Sequence, residues 1–304
     1  MNVFLTGATG YIGAAVADDL EEKGHRVRPL VHRLEKVTEQ RARGRAVVEG
    51  SLRDPLVLEN AARRADAVIH TASTNGPDAG ETDLLAVRAI LAGLYGTGKL
   101  FIYTSGCWVY GNTGETSVDE TSPVAPAALV AWRVPVENEI LAAARERNVR
   151  AVIIRPTIVY GRGGGIPGML VAGGRRDGIV RHVGPSSTRW SFVHVEDLAD
   201  LYVRALERAP AGTILTAASD EKLSVGDVAR AASDAAGIPG HVAEWPLERA
   251  RESMGPFADA LALTQTVTAP MARLLLGWAP KGPSVLEDLR RGSYRPGRAE
   301  KLIA

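Results

Sequence analysis

Residues 3–13 run Val3-Phe4-Leu5-Thr6-Gly7-Ala8-Thr9-Gly10-Tyr11-Ile12-Gly13: an apolar segment, a glycine-rich turn and the start of an amphipathic stretch over 12–23. Short apolar run, turn and helical period in that order specify a strand feeding a helix. Glycines at such a turn let the backbone bend sharply and bring bare amides close to a bound pyrophosphate. The helix N-terminus adds its partial positive charge. The spacing is GxxGxxG, and its place between strand and helix points to a dinucleotide site built on Gly7, Thr9, Gly10, Tyr11 and Ile12.

A second strand is expected over 26–31. A site for NAD places Asp or Glu about 20 residues after the glycines, on the ribose hydroxyls. His32-Arg33 stands here instead, with Arg33 twenty residues beyond Gly13. A guanidinium pairs with a 2′-phosphate that a carboxylate would repel, so NADP is expected in preference to NAD.

Outward from this unit the alternation continues. Strands are expected over 46–49, 67–70, 100–104 and 149–155, with helices over 55–64 and 81–95 and another ending near Arg147. Strands alternating with helices form a parallel sheet covered on both faces, a doubly wound α/β (Rossmann) domain. It is expected to occupy 1–161. The pattern loosens after Gly161, around Gly163-Gly164-Gly165 and Gly173-Gly174. Residues 189–217 are expected to return to the sheet, with a strand over 190–195, a helix over 195–206 and a strand over 213–217. Residues 162–188 and 218–304, rich in proline after Pro246, are expected to form a smaller substrate-capping region.

Lys and Arg total 36 against 35 Asp and Glu, a net charge of +1, with 45% hydrophobic and 23% charged residues. That mix belongs to a globular chain, and without interleaved basic and aromatic residues it points away from nucleic acid. Cys107 is the single cysteine, which excludes a disulfide scaffold and a thiolate zinc cluster. No metal site is expected: His194-Val195-Glu196-Asp197 reads as a helix start with acidic residues at its positive end. No apolar run approaches the length of a membrane span, and residues 1–6 are too short to read as a signal peptide. A cytoplasmic protein is expected.

Seven segments in order resemble the extended short-chain dehydrogenase/reductases, also called the NAD-dependent epimerase/dehydratase family. They are the glycine turn, Gly50-Ser51-Leu52-Arg53-Asp54, Val68-Ile69-His70-Thr71-Ala72-Ser73, Tyr103-Thr104-Ser105-Gly106-Cys107-Trp108-Val109-Tyr110-Gly111, Arg155-Pro156-Thr157-Ile158-Val159-Tyr160-Gly161, Phe192-Val193-His194-Val195-Glu196-Asp197 and Leu276-Gly277-Trp278-Ala279-Pro280. The resemblance implies that Ser51 and Leu52 line the adenine pocket. Ala72, Ser73 and Thr104 would lie along the cofactor, and Pro156 to Val159, Ile158 among them, beside the nicotinamide. It also implies a homodimer through the helices around 81–95 and 132–147.

The resemblance breaks at the chemistry. The family uses a Ser or Thr after the fifth strand and Tyr-x-x-x-Lys on the next helix, the Tyr exchanging a proton during hydride transfer. Aligning Val109-Tyr110-Gly111 and Glu137 puts Gly106 at the hydroxyl position, Leu129 at the Tyr position and Arg133 at the Lys position. No tyrosine occurs between Tyr110 and Tyr160. Arg133 retains the capacity to bind ribose hydroxyls. Ser105 and Tyr160 are the candidate proton donors; a substrate group or ordered water is the remaining source. Trp190, Arg189 and His182 are candidates to face substrate.

Three readings follow. The first is an NADP-dependent reductase of a carbonyl, imine or conjugated group on a small, secondary-metabolite-like substrate. The second is an epimerase or dehydratase that retains its cofactor, and the third a non-catalytic NADP(H)-binding module.

Overall fold

The computed structural model describes residues 1–74 and 76–295. In chain order, its first half contains β1 (Asn2–Thr6), α1 (Tyr11–Glu22), β2 (Arg26–Val31), α2 (Leu34–Ala42), β3 (Val48–Glu49), α3 (Pro55–Arg64), β4 (Ala67–His70), α4 (Ala79–Leu94), β5 (Leu100–Thr104), β6 (Ser117–Val118), α5 (Arg133–Glu146) and β7 (Arg150–Pro156). The second half contains β8 (Ile158–Tyr160), α6 (Gly165–Asp177), β9 (Val180–Val183), β10 (Arg189–His194), α7 (Val195–Arg208), β11 (Thr213–Ala217), β12 (Lys222–Ser224), α8 (Val225–Ala236) and β13 (Val242–Trp245). It closes with α9 (Leu247–Met254), α10 (Pro256–Leu261), β14 (Thr266–Val267), α11 (Pro270–Leu276) and α12 (Val285–Arg291).

Seven strands form one parallel sheet in the order β11-β7-β5-β4-β1-β2-β3, so the strand order reverses between β1 and β4. Ligands of open α/β sheets lie at such a reversal, beyond the carboxyl ends of the strands. The central strands are buried on both faces and read as apolar runs: Val3 to Leu5, Ala67 to Ile69 and Ala151 to Ile154 are almost wholly inaccessible. One core packs α1 and α7 against the sheet, and a second packs α3, α4 and α5 against the opposite face. The expected doubly wound architecture is the one found.

Two expectations change. Of 189–217, only α7 and β11 attach to the main sheet. The strand at 189–194 pairs instead with β8 and β12 in a separate three-stranded sheet. That sheet, with α6 and α8, surrounds a third core containing Trp190, Phe192 and Tyr160, which underlies the expected capping region. Residues 296–304 of that region lie outside the described residues. The second change is α6, a helix where the glycines suggest irregular chain. Gly174 is in it because a Cβ would lie 2.7 Å from Val180, and Gly168 because one would lie 2.4 Å from the Gly163 carbonyl. These glycines serve close packing.

Candidate functional site

The turn between β1 and α1 shows why its glycines are required. Gly7 has φ +81°, and a Cβ on Gly13 would sit 2.1 Å from the Gly7 carbonyl oxygen. Strand, turn and helix therefore press together as no larger residue allows. Gly10 caps α1 without any side-chain hydrogen bond, and the first turn of α1 carries no acidic residue. The helix N-terminus thus presents unneutralised amides, a fit for a pyrophosphate.

Above this turn lies a cleft of about 380 Å³. It is lined by Gly7, Thr9, Gly10, Ser51, Leu52, Ala72 and Ser73, all named from the sequence, together with His32 and Arg53. Ser51 is committed to Asp54: its Oγ donates to Asp54 Oδ2 at 2.8 Å, and its backbone N–H to the same oxygen at 2.6 Å. Arg33 caps α2 beside this cleft. It is exposed, its side chain forms no hydrogen bond or ion pair among the described residues, and it does not line the cleft itself.

Ser73 and Thr74 also border a larger cavity of about 800 Å³, so the two spaces share a wall. Ile12, Arg133, Pro156, Ile158 and Ser105 line the larger one. Ser105 is buried at the end of β5, and its hydroxyl has no hydrogen-bond partner among the described residues. A buried hydroxyl left unpaired costs roughly 1–3 kcal/mol, a cost that a ligand oxygen would remove. Neighbouring Gly106 has extended backbone, and a Cβ there would meet nothing within 4 Å. The lost family hydroxyl therefore leaves open space.

Pro135 falls in the first turn of α5, the one place a helix accepts it, and the helix starts only at Arg133. Leu129 precedes it, on a 3₁₀ turn at the cavity wall. Arg133 Nη1 donates to the Thr104 carbonyl oxygen at 2.9 Å and to the Tyr103 hydroxyl at 3.2 Å, and the guanidinium carbon lies 4.4 Å from the centre of the Trp132 ring. Behind Tyr103 runs a buried chain of polar side chains. Tyr103 donates to Asp83 Oδ2 at 2.7 Å, His70 Nε2 lies 3.2 Å from Asp83 Oδ1, and His70 Nδ1 lies 2.7 Å from Thr6 Oγ1. One proton arrangement satisfies all of it, with the histidine donating to the carboxylate and accepting from the threonine. Burial and the Asp83 carboxylate raise the Tyr103 phenol well above its ordinary range, so it remains a donor.

Among the described residues, the ionisable side chains lining the larger cavity are Arg133 and Cys107 alone. Burial pushes the Cys107 thiol up to about 12, and its Sγ donates to Gln265 Oε1 at 3.2 Å. It is no nucleophile at neutral pH.

Three expected site residues turn their hydroxyls elsewhere. Tyr160, a candidate proton donor, donates its hydroxyl to the Pro283 carbonyl oxygen at 2.6 Å, with its ring edge-on to Phe192 and His194. It does not line the cavity, because β8 turns it into the third core. Tyr11, expected at the cofactor, sends its hydroxyl to the Gly161 carbonyl oxygen at 2.8 Å; only its backbone faces the helix N-terminus. Thr104 spends its hydroxyl on Tyr202, at 2.5 Å, and offers Arg133 its carbonyl. Trp190 and His182 are likewise buried, bonded to Leu261 and to Gly184 and Ser186, and neither they nor Arg189 line the cavity. What the sequence did not single out as a site is the aromatic wall of Trp108, Trp132 and Phe257. The adjacency of Trp132 to Arg133 is the one local hint of it.

The model of the NAD dependent epimerase/dehydratase family matches residues 3–218. The chain belongs to this family. It is 31% identical to an uncharacterized protein of Schizosaccharomyces pombe, covering 97% of this chain and all of that protein. It is 25% identical to a 2-alkyl-3-oxoalkanoate reductase of Stenotrophomonas maltophilia, covering 96% of this chain and 98% of the reductase. The UDP-glucose 4-epimerase of Thermotoga maritima, solved with UDP-glucose, superposes at a TM-score of 0.82 with 20% identity over the whole of both chains. The dTDP-glucose 4,6-dehydratase of Bacillus anthracis, solved with NAD, superposes at 0.82 with 15% identity over 96% of this chain and 95% of that one. Epimerase/dehydratase family members are NAD(P)-dependent enzymes, and this chain shares their fold. No helix among its described residues is long and apolar enough to cross a membrane.

Proposed function

We propose that this protein is an NADP-dependent reductase acting on a carbonyl, imine or conjugated carbon of a small substrate. The observation that carries the reading is the composition of the large cavity. Among the described residues it holds an unpaired buried hydroxyl, Ser105, and a guanidinium, Arg133, and no side chain able to act as a base near neutral pH. Hydride addition to an imine or conjugated carbon builds little alkoxide charge and needs no strong acid or base at the site, whereas oxidising an alcohol needs a base to take its proton. The site therefore favours hydride addition over a cycle that oxidises and then restores an alcohol, as an epimerase with a retained cofactor requires.

A bound reduced nicotinamide would supply the hydride. The bare amides of α1 and the cleft over Gly7, Thr9 and Gly10 bind its pyrophosphate, with Ser51 and Leu52 at the adenine, Ala72 and Ser73 along the middle, and Pro156 and Ile158 at the nicotinamide end. Arg33, whose exposed side chain has no partner among the described residues, takes the 2′-phosphate. Arg133, in the family's lysine position, holds the ribose hydroxyls through guanidinium nitrogens other than Nη1. Ser105 donates its hydrogen bond to the substrate oxygen, and solvent replaces the proton. The reductase relative from Stenotrophomonas maltophilia supports the same direction of reaction.

Exposed Leu85 and Tyr95 on and just after α4, beside α5, support a homodimer through these helices. The buried, unpaired Cys107 suits a reducing compartment, and we place the protein in the cytoplasm.

Titration of the purified chain with NADPH and NADH, followed by NADPH oxidation with a panel of neutral ketones, enones and cyclic imines, tests the proposal. Tighter binding of NADPH and its consumption by a member of the panel are expected. Absence of binding to either nucleotide overturns it. Co-purifying nucleotide with no net consumption would select the retained-cofactor reading instead.

A further inference from the structure

The walls of the large cavity carry more information than its catalytic corner. Trp108 leaves the end of β5 on a 3₁₀ turn and meets Phe257 of α10 edge-on, ring centres 5.9 Å apart at 68°. Trp132 forms another wall, held in place by the start of α4: a Cβ on Gly80 would lie 2.8 Å from it. Leu129 and Ile166 add to the lining. Beyond Gly161, the described residues supply this cavity with two side chains, Ile166 and Phe257, and both are apolar.

We infer that the substrate is an uncharged, largely apolar carbonyl compound of aromatic-ring size, and that Phe257 with Trp108 selects it. The inference rests on the reductase reading of the same site and adds its substrate class. No Asp, Glu, Lys or His lines the cavity among the described residues, and its one cation is Arg133. With Arg133 engaged at the ribose, a diphosphate or carboxylate on the substrate would be buried without a counter-charge, which disfavours its binding. A sugar fares poorly too: the hydroxyls of Ser73, Thr74, Ser105 and Thr157 lie along one side of the lining, but the remaining walls offer its hydroxyls indole and phenyl faces in place of water. Flat apolar rings gain instead: aromatic pairs prefer edge-to-face or offset packing, the arrangement Trp108 and Phe257 already show. The volume, about 800 Å³, accommodates a ring-sized molecule beside a nicotinamide.

Calorimetric titration of the NADP⁺-loaded protein with three probes tests this: benzylideneacetone, neutral and aromatic; benzoylformate, of similar size with one carboxylate; and UDP-glucose. Benzylideneacetone is expected to bind at least about tenfold more tightly than either charged probe, the discrimination that one uncompensated charge or lost ring contact produces. Phe257→Ala is expected to weaken benzylideneacetone about tenfold while leaving NADP⁺ affinity unchanged, and Phe257→Leu to recover part of the loss. Equal or tighter binding of benzoylformate or UDP-glucose overturns the inference, as does a Phe257→Ala variant with unaltered affinity. The nucleotide titration is scored separately. Protein that binds NADP⁺ but prefers a charged probe refutes the substrate class and leaves the reductase reading standing. Protein that binds no nucleotide refutes the reductase reading, and the same probes are then compared on the unloaded cavity.

Discussion

Tyr103 donates its phenolic proton to Asp83 Oδ2 at 2.7 Å, and both side chains are almost wholly buried. Arg133 in turn donates to the Tyr103 oxygen. A buried carboxylate on α4 is thereby linked, through one phenol on β5, to the guanidinium at the cavity. Replacing Tyr103 with Phe leaves Asp83 without one donor and Arg133 without one acceptor. Its cost is expected to be about 1–3 kcal/mol, read as a lowered denaturant midpoint at unchanged slope. Unchanged stability would show that the link contributes nothing.

Ser105→Ala is expected to behave in the opposite way. Its hydroxyl has no partner to lose, so the melting temperature should hold or rise slightly. Turnover should fall by about two to four powers of ten if the hydroxyl meets the reacting oxygen. Steady-state kinetics with calorimetric melting separates the two effects.

Tyr160→Phe removes the hydrogen bond to Pro283 and nothing at the cavity. A loss of about 1 kcal/mol in stability is expected, with unaltered kcat per folded molecule. A large fall in kcat at full folding would return Tyr160 to the list of proton donors.

Gly106→Ser restores the family's hydroxyl at a position where a Cβ meets open space and the backbone is extended. The variant is expected to fold with a change within about 0.5 kcal/mol. Its hydroxyl would join that of Ser105, so kcat should be maintained or increased. Loss of folding would show that the apparent space is needed.

Arg33→Ala is expected to weaken NADPH by about tenfold and NADH hardly at all, because the lost contact is one exposed, charge-assisted pairing with the 2′-phosphate. Parallel titrations with the two nucleotides check this, and an equal loss for both would remove Arg33 from the site.

The pH dependence follows from the same lining. Cys107 stays protonated through neutral pH, and the other ionisable wall residue is a guanidinium, so kcat should vary little between about pH 6 and 9. Stability should respond at higher pH. The folded Cys107 thiol binds its proton up to about 12, against 9.0 for an unperturbed thiol. The folded state thus holds more protons above pH 9, and this contribution is present below 9 and lost as pH rises from 9 towards 12. Burial raises Tyr110 in the same direction, also to about 12. Melting temperatures across that range test the sign.

Local sequence determined the strand-turn-helix at 3–13, the alternation that makes the sheet parallel, and the absence of the tyrosine the family relies on. Each is written in neighbouring residues: a period of two or 3.6, glycines where backbone must touch backbone, one residue type at one place in a motif. Tertiary packing decided what no local pattern holds. Tyr160 ends one apolar strand and Ser105 follows another, yet one hydroxyl is spent on a carbonyl 123 positions away and the other has no partner among the described residues. Thr6, His70 and Tyr103 come side by side because parallel strands align distant positions, and packed helices add Asp83 and, at the cavity, Arg133 to the same polar chain. Phe257 reaches Trp108 by the fold of the capping region, and glycines that read as loop become a packed helix. A side chain's chemistry is fixed by its identity, but its partners and its access to a cavity are set by the neighbours that packing brings to it.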